Sequence, residues 1–246
     1  MASPDRLAQL RPVFWNPERS SLTCTVCTTP VDGYTRCYQC NNQARSSHTL
    51  SDIVAPITYA VTDSQAMHDL YVYKDSRYPS AVVAGAQSRL FSMLFESLSR
   101  HLECFSTLGG SELVVTTAPS SGGRVGTHPL TRALEMFSSF DKTAITYVGP
   151  ASLDRSARRV LAPERFKVEH ADVAKKHVLL IDDAWVTGAH LQSCSAALHA
   201  AGASFVSAVP LGRVLDRHGR EAGPYLNAHR QREFDPEICP LTGTAH

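Results

Sequence analysis

The sequence lacks a long hydrophobic run, an excess of either charge and a complete set of paired cysteines, and each absence excludes a class of protein. No stretch approaches the roughly 18 apolar residues that a membrane-spanning helix needs, so no membrane partner is expected. Lys plus Arg number 24 against 23 Asp plus Glu, for a formal net charge of +1. Nucleic-acid binding would therefore need a local basic patch, because the whole chain offers no electrostatic footprint. Residues 1–11 carry no apolar core of the signal-peptide kind, and a cytoplasmic location is expected. Seven cysteines are an odd number and fit a disulfide framework poorly. What remains is an ordinary globular composition, 43% hydrophobic and 19% charged. The 246 residues suffice for one α/β domain of roughly 200 residues and a short appendage.

The texture changes along the chain. Residues 1–50 are polar and turn-rich and hold four of the seven cysteines; they read as a small module. Residues 51–215 read as one domain in which short apolar runs alternate with amphipathic stretches. Strands are expected near 53–61, 70–74, 113–117, 144–148, 178–182 and 205–209, and helices near 81–101, 129–140 and 191–201. Strands alternating with helices of this length predict a mostly parallel sheet with helices on both faces. Residues 216–246, rich in Gly, Pro, Asn and His, read as a poorly structured tail.

The most informative stretch runs His177-Val178-Leu179-Leu180-Ile181-Asp182-Asp183-Ala184-Trp185-Val186-Thr187-Gly188-Ala189-His190. A continuously apolar strand ends in two carboxylates, and a short loop with one glycine leads into a helix. Ligands of open α/β sheets bind at the carboxyl ends of the strands, and a helix N-terminus after such a loop offers backbone N–H groups to an anion. Adjacent carboxylates suit neighbouring hydroxyl groups. A ribose 5-phosphate meets both demands, with its hydroxyls on Asp182 and Asp183 and its phosphate in the loop. On spacing alone, a solvated Asp-Asp turn before a capped helix explains the segment equally well. Both acids are expected to have little structural duty.

Cys24-Thr25-Val26-Cys27 and Cys37-Tyr38-Gln39-Cys40 are separated by nine residues. Four thiolates at this spacing complete a closed tetrahedral site, structural rather than catalytic, with zinc the expected ion. The bland alternative is four free thiols or a redox pair. Cys104 and Cys194 fall in helical apolar patterns and read as packed thiols. Cys239 and His246 in the tail are a weak candidate for a further metal site, with ordinary tail residues the plainer reading.

The 178–190 segment resembles the signature of type I phosphoribosyltransferases: four apolar residues, two acids, two variable residues, then Thr-Thr-Gly-x-Thr. Here the last part reads Val186-Thr187-Gly188-Ala189-His190, so two hydroxyl positions of the pattern are Val and His. With the Cys pairs, the chain resembles the ComF-like branch of these enzymes, which carries an N-terminal zinc ribbon. Weaker likenesses lie in Tyr71-Val72-Tyr73-Lys74-Asp75, in the strand and loop from Val114 to Leu130, and in Leu153-Asp154-Arg155-Ser156-Ala157-Arg158-Arg159.

The resemblance implies binding of phosphoribosyl pyrophosphate with magnesium, and transfer of the phosphoribosyl group to a small-molecule acceptor that the sequence does not identify. It places Asp182 and Asp183 at the ribose and the phosphate on Ala184, Trp185, Val186, Thr187, Gly188, Ala189 and His190. The pyrophosphate loop includes Thr117, Ser120 and Ser121, with Arg124 as its cation. Lys74, at a strand end, would help neutralise pyrophosphate; a surface lysine is the plain alternative. Arg155, Arg158 and Arg159 either reach the leaving group or form a solvated helical face. His190 is a second way to grip the phosphate. A homodimer is left open. A regulator or competence and DNA-uptake accessory protein that keeps the pocket without catalysis is the competing reading, and a nucleic-acid-docking ribbon is the weakest on charge.

Overall fold

A computed structural model of the chain describes residues 4–121, 127–135, 145–229 and 231–245. Arg124, residues 136–140 of the expected 129–140 helix, Ala144 and His246 lie outside them. The strands are β1 (Ile53–Val54), β2 (Thr58–Val61), β3 (Leu113–Thr117), β4 (Ile145–Tyr147), β5 (Phe166–Val168), β6 (His177–Trp185) and β7 (Phe205–Leu215). The helices are α1 (Pro4–Leu10), α2 (Tyr38–Gln43), α3 (Gln65–Val72), α4 (Ser80–Ser106), α5 (Pro129–Glu135), α6 (His170–Val173), α7 (Ala189–Ala200) and α8 (Ala222–Ala228).

The main sheet is wholly parallel. β6 lies between β3 and β7, and both β1 and β2 pair with the far edge of β7. The expected 53–61 strand is broken at Pro56, which has no N–H to donate. β6 is apolar on both faces, as a doubly covered strand must be. Leu179 and Ile181 pack with α3, α4 and α5, through residues such as Leu70, Leu94 and Leu130. Val178 and Leu180 point the other way, onto Leu191, Cys194 and Leu198 of α7. Helices thus cover both faces. Among the described residues no helix is long and apolar enough to cross a membrane.

Three expectations change. The 70–74 strand is instead the end of helix α3. Tyr and Val favour strands, but Ser64 caps the helix by accepting from the Met67 N–H at 3.3 Å. Ala66, Leu70 and Tyr73 then fall on one buried face, and Asp69 is clamped to Arg89 of α4 by two bonds of 2.7 Å. β4 does not join the main sheet; it pairs antiparallel with β5, because only one of its faces is buried.

The tail is ordered. Phe234 is buried edge-to-face on Phe14, the Phe234 N–H donates to the Phe14 carbonyl at 2.9 Å, and Asp235 N–H donates to the Asn16 side chain at 2.6 Å. Its polar composition hid these anchors. Nor does the cysteine module stand apart. Tyr59 donates its hydroxyl to the Thr28 carbonyl at 2.7 Å, and buried Arg213 of β7 donates to the Thr29 hydroxyl at 2.8 Å.

Candidate functional site

β3 and β6 part company at the two acids. The β3–β6 ladder ends at Thr117 and Ile181, while β6 continues beside β7 to Trp185. A cleft of roughly 600 Å³ opens over the β6 edge from Asp182 onward. Its floor is Asp182, Asp183 and Ala184, and its end wall is the turn of Val186, Thr187, Gly188 and His190 at the N-terminus of α7. Lys74 comes from just after α3, Ser120 and Ser121 from the loop after β3, and Arg155, Arg158, Arg159 and Arg165 from the segment before β5.

Local sequence dictates the turn. Gly188 caps α7 with φ +82°, a left-handed conformation that costs an L side chain about 1–2 kcal/mol. A Cβ there would also clash with the Trp185 ring. Gly188→Ala should therefore destabilise the protein by about 2–5 kcal/mol, the sum of backbone strain and overpacking. Urea denaturation checks this, and a loss below about 0.5 kcal/mol would show that the turn relaxes freely.

Trp185, expected at the phosphate, is 1% exposed and lies beneath Gly188, where its ring supports the turn and does not line the cleft. Thr117, whose hydroxyl meets that of Thr131 at 2.8 Å, and Ala189 likewise do not line the cleft.

The two carboxylates differ. Asp183 accepts from the Tyr73 hydroxyl at 2.7 Å and is ion-paired with Lys74. Burial alone would raise its carboxyl, but the Lys74 ammonium and the Tyr73 hydroxyl outweigh burial and hold it below the ordinary range. Asp182 accepts the Asp183 N–H at 2.8 Å. Burial, then the neighbouring Asp183 charge, pushes its carboxyl well above the ordinary range. The expectation of little structural duty thus fails for Asp183, whose loss takes a carboxylate away from the half-buried Lys74 ammonium. Lys74 does not end a strand; it follows the C-cap Tyr73 of α3.

The other walls are polar and cationic. The His190 Nε2–H donates to the Pro119 carbonyl at 3.0 Å, and burial pushes its imidazole below the ordinary value. Near pH 7 the ring is neutral with Nε2 committed, so it is a poor phosphate donor. Val186 is exposed and open to the cleft. Arg158 donates to the Leu153 carbonyl at 3.0 Å and Arg165 to the Ala157 carbonyl at 2.9 Å. Among the described residues, none of the four rim arginines pairs with a carboxylate, which leaves their charge available to an anion. Sequence reasoning assigned no role to Tyr73, Arg165 or Arg213. A buried charge in the apolar run of β7 was the available signal for Arg213; Arg165 carried none.

Cys24, Cys27, Cys37 and Cys40 are all buried, and their sulfurs lie within 4.8 Å of one another. Cys27 and Cys37 are 3.7 Å apart. The thiols of Cys24, Cys37 and Cys40 together hold the Cys27 thiol well below its ordinary value, aided by the Arg213 guanidinium. Such a group suits a structural metal.

No protein-family model matches the chain, and no curated protein matches it. Among solved structures, a phosphoribosyltransferase from Corynebacterium diphtheriae superposes with a TM-score of 0.30 at 16% identity, covering 61% of this chain and 93% of that one. A likeness this loose carries no argument. The chain's own geometry defines a parallel α/β protein with an arginine-rimmed cleft at the C-terminal edge of its sheet and a buried four-cysteine group.

Proposed function

We propose that the chain is a ComF-like phosphoribosyltransferase that binds phosphoribosyl pyrophosphate in this cleft, and that the four cysteines hold zinc. One observation carries the reading. The acid pair and the α7 N-terminus open on the same cleft as four arginines that have no carboxylate partner among the described residues. The acids suit ribose hydroxyls, the turn N–H groups suit the 5-phosphate, and the arginines suit the pyrophosphate.

In the reaction, the bond from the anomeric carbon to pyrophosphate breaks as the bond to the acceptor forms, and the acceptor gives up a proton. Positive charge develops on the ribose near Asp182 and Asp183, and the arginines meet the charge of the departing pyrophosphate. Carboxylate oxygens suit magnesium, a hard cation; Asp182 and Asp183 would hold it, and it would supply positive charge that stabilises the departing pyrophosphate. Asp182, disfavoured as an anion beside Asp183, is the group that an added cation or hydroxyl donor relieves.

Titration calorimetry with phosphoribosyl pyrophosphate, with and without magnesium, tests the binding. A screen of bases and amines for pyrophosphate release tests the transfer. Saturable binding strengthened by magnesium is expected; no heat in either condition rejects the reading. Val186 and His190 favour a second reading, a regulator that keeps the pocket without turnover, and saturable binding with no pyrophosphate released by any acceptor would select it.

The loop gives a separate expectation. Val186→Thr adds a hydroxyl at an exposed position facing the cleft and should tighten ribose 5-phosphate binding about tenfold, the worth of one modest charge-assisted bond. His190→Thr loses the Pro119 bond and should gain less. Because burial pushes the imidazole below its ordinary value, the parent's affinity should not fall as pH rises from 7 to 8 beyond what the ligand's own phosphate ionisation produces. A fall that disappears in His190→Thr would show that imidazolium grips the phosphate.

A further inference from the structure

Three side chains that the proposed reaction does not use meet between α4 and the C-terminal segment. His101 and Cys104 stand one turn apart on α4 and share a face. Cys239 arrives from the ordered tail. Their ligand atoms lie within 4.8 Å of one another, and the Cys104 sulfur is 3.9 Å from His101 Nδ1. Bonds of about 2.3 Å to sulfur and 2.0–2.1 Å to nitrogen put the ligand atoms of a tetrahedral zinc roughly 3.5–3.8 Å apart, so a shift of about an ångström at most closes the set.

Two details of the surroundings point to a metal rather than to packing. His101 donates its Nε2–H to the Pro236 carbonyl at 2.8 Å. That bond fixes the tautomer, aims the Nδ1 lone pair at the sulfurs, and is the outer-shell bond that metal-bound histidines make. The backbone around Cys239 also repeats that around Cys24. In the four-cysteine group, Cys24 N–H donates to the Thr29 carbonyl at 2.7 Å, Thr28 N–H donates to the Cys24 carbonyl at 3.0 Å, and Thr28 has φ +59°. At the tail, Cys239 N–H donates to the Thr244 carbonyl at 2.9 Å, Gly243 N–H donates to the Cys239 carbonyl at 2.8 Å, and Gly243 has φ +74°. The offsets along the chain are the same, and the left-handed residue occupies the same position. Thr242 stands where the first knuckle has its second cysteine.

We propose that His101, Cys104 and Cys239 form a second metal site, for zinc or a similar thiophilic divalent ion, that staples the tail to α4. His101 and Cys239 are buried while Cys104 is half-buried, so the fourth coordination position opens on the Cys104 side. Binding displaces the two thiol protons.

Cobalt titration of the reduced, metal-free full chain tests this, with zinc stoichiometry of the purified protein alongside. Thiolate-to-cobalt absorbance in the parent should saturate one equivalent later than in Cys239→Ser, and the purified parent should hold one zinc more. His101→Asn, close to the parent in volume, should lose the same equivalent with an unchanged circular dichroism spectrum, which separates lost coordination from misfolding. A parent that saturates at the same equivalence as both variants overturns the proposal.

Discussion

Replacing both carboxylates, Asp182→Asn with Asp183→Asn, should lower affinity for phosphoribosyl pyrophosphate about a hundredfold or more. Each hydrogen bond between a ribose hydroxyl and a charged carboxylate is worth about 1.5–3 kcal/mol, and the cleft offers no other adjacent acid pair among its described lining. Calorimetry reads the result, and unchanged affinity would move the ligand out of this cleft.

The single variants should diverge in stability. The Asp182 carboxyl is raised in the folded chain, so its contribution is fully present below the ordinary carboxylate range and is lost as pH rises through the raised value. Asp182→Asn removes that loss and should be at least as stable as the parent at pH 7. Asp183 is depressed. Its contribution is present above the ordinary carboxylate range and is lost as pH falls through the depressed value, so Asp183→Asn should be destabilised at pH 7. Thermal unfolding of both variants at pH 5 and pH 7 distinguishes these signs.

Stripping the metal from the four-cysteine group should unfold more than the ribbon. A module this small buries too little to fold by itself, so metal binding is its folding energy. A free-standing ribbon would unfold and leave the α/β domain untouched, but this one is wired into the cleft. Arg213 donates to Thr29 and also to the carbonyls of Trp185 and Val186, at 2.8 and 3.0 Å. Gln43, next to the knuckle, donates to the Thr187 carbonyl at 2.9 Å. Loss of the ribbon leaves buried Arg213 short of a partner and releases one side of the 186–188 turn. Chelation, or Cys27→Ser, should therefore weaken phosphoribosyl pyrophosphate binding at least tenfold and lower the thermal midpoint of the whole protein. A chelated protein that binds with parental affinity would show that the turn holds its shape without the ribbon.

Legibility followed the range of the interactions. The parallel sheet with helices on both faces could be read because β6 is apolar at every position from Val178 to Ile181, and a period-free apolar strand between helical stretches has few other uses. The cysteine group could be read because two short loops carry all four ligands. The acids and the turn were visible as one contiguous segment, and Gly188 marked where the chain must take a left-handed conformation. Helix α3 was misread because Leu70, Tyr71, Val72 and Tyr73 suit a strand locally, and what overrides them, Arg89 on Asp69, lies twenty residues away.

Composition and local pattern alone thus determined the fold class, the knuckle spacing and the strand-acid-turn-helix order, since each depends on neighbours within a few positions. Only the tertiary structure decided which partner each charge would have. It paired Lys74 and Tyr73 with Asp183 and left Asp182 beside that charge, turned Trp185 under the loop, and carried Arg155, Arg158, Arg159 and Arg165 to the cleft. It also tied the tail to α4, bringing Cys239 to His101 and Cys104. The reason is physical: burial and Coulomb interaction depend on distances across the folded chain, and sequence separation does not encode them.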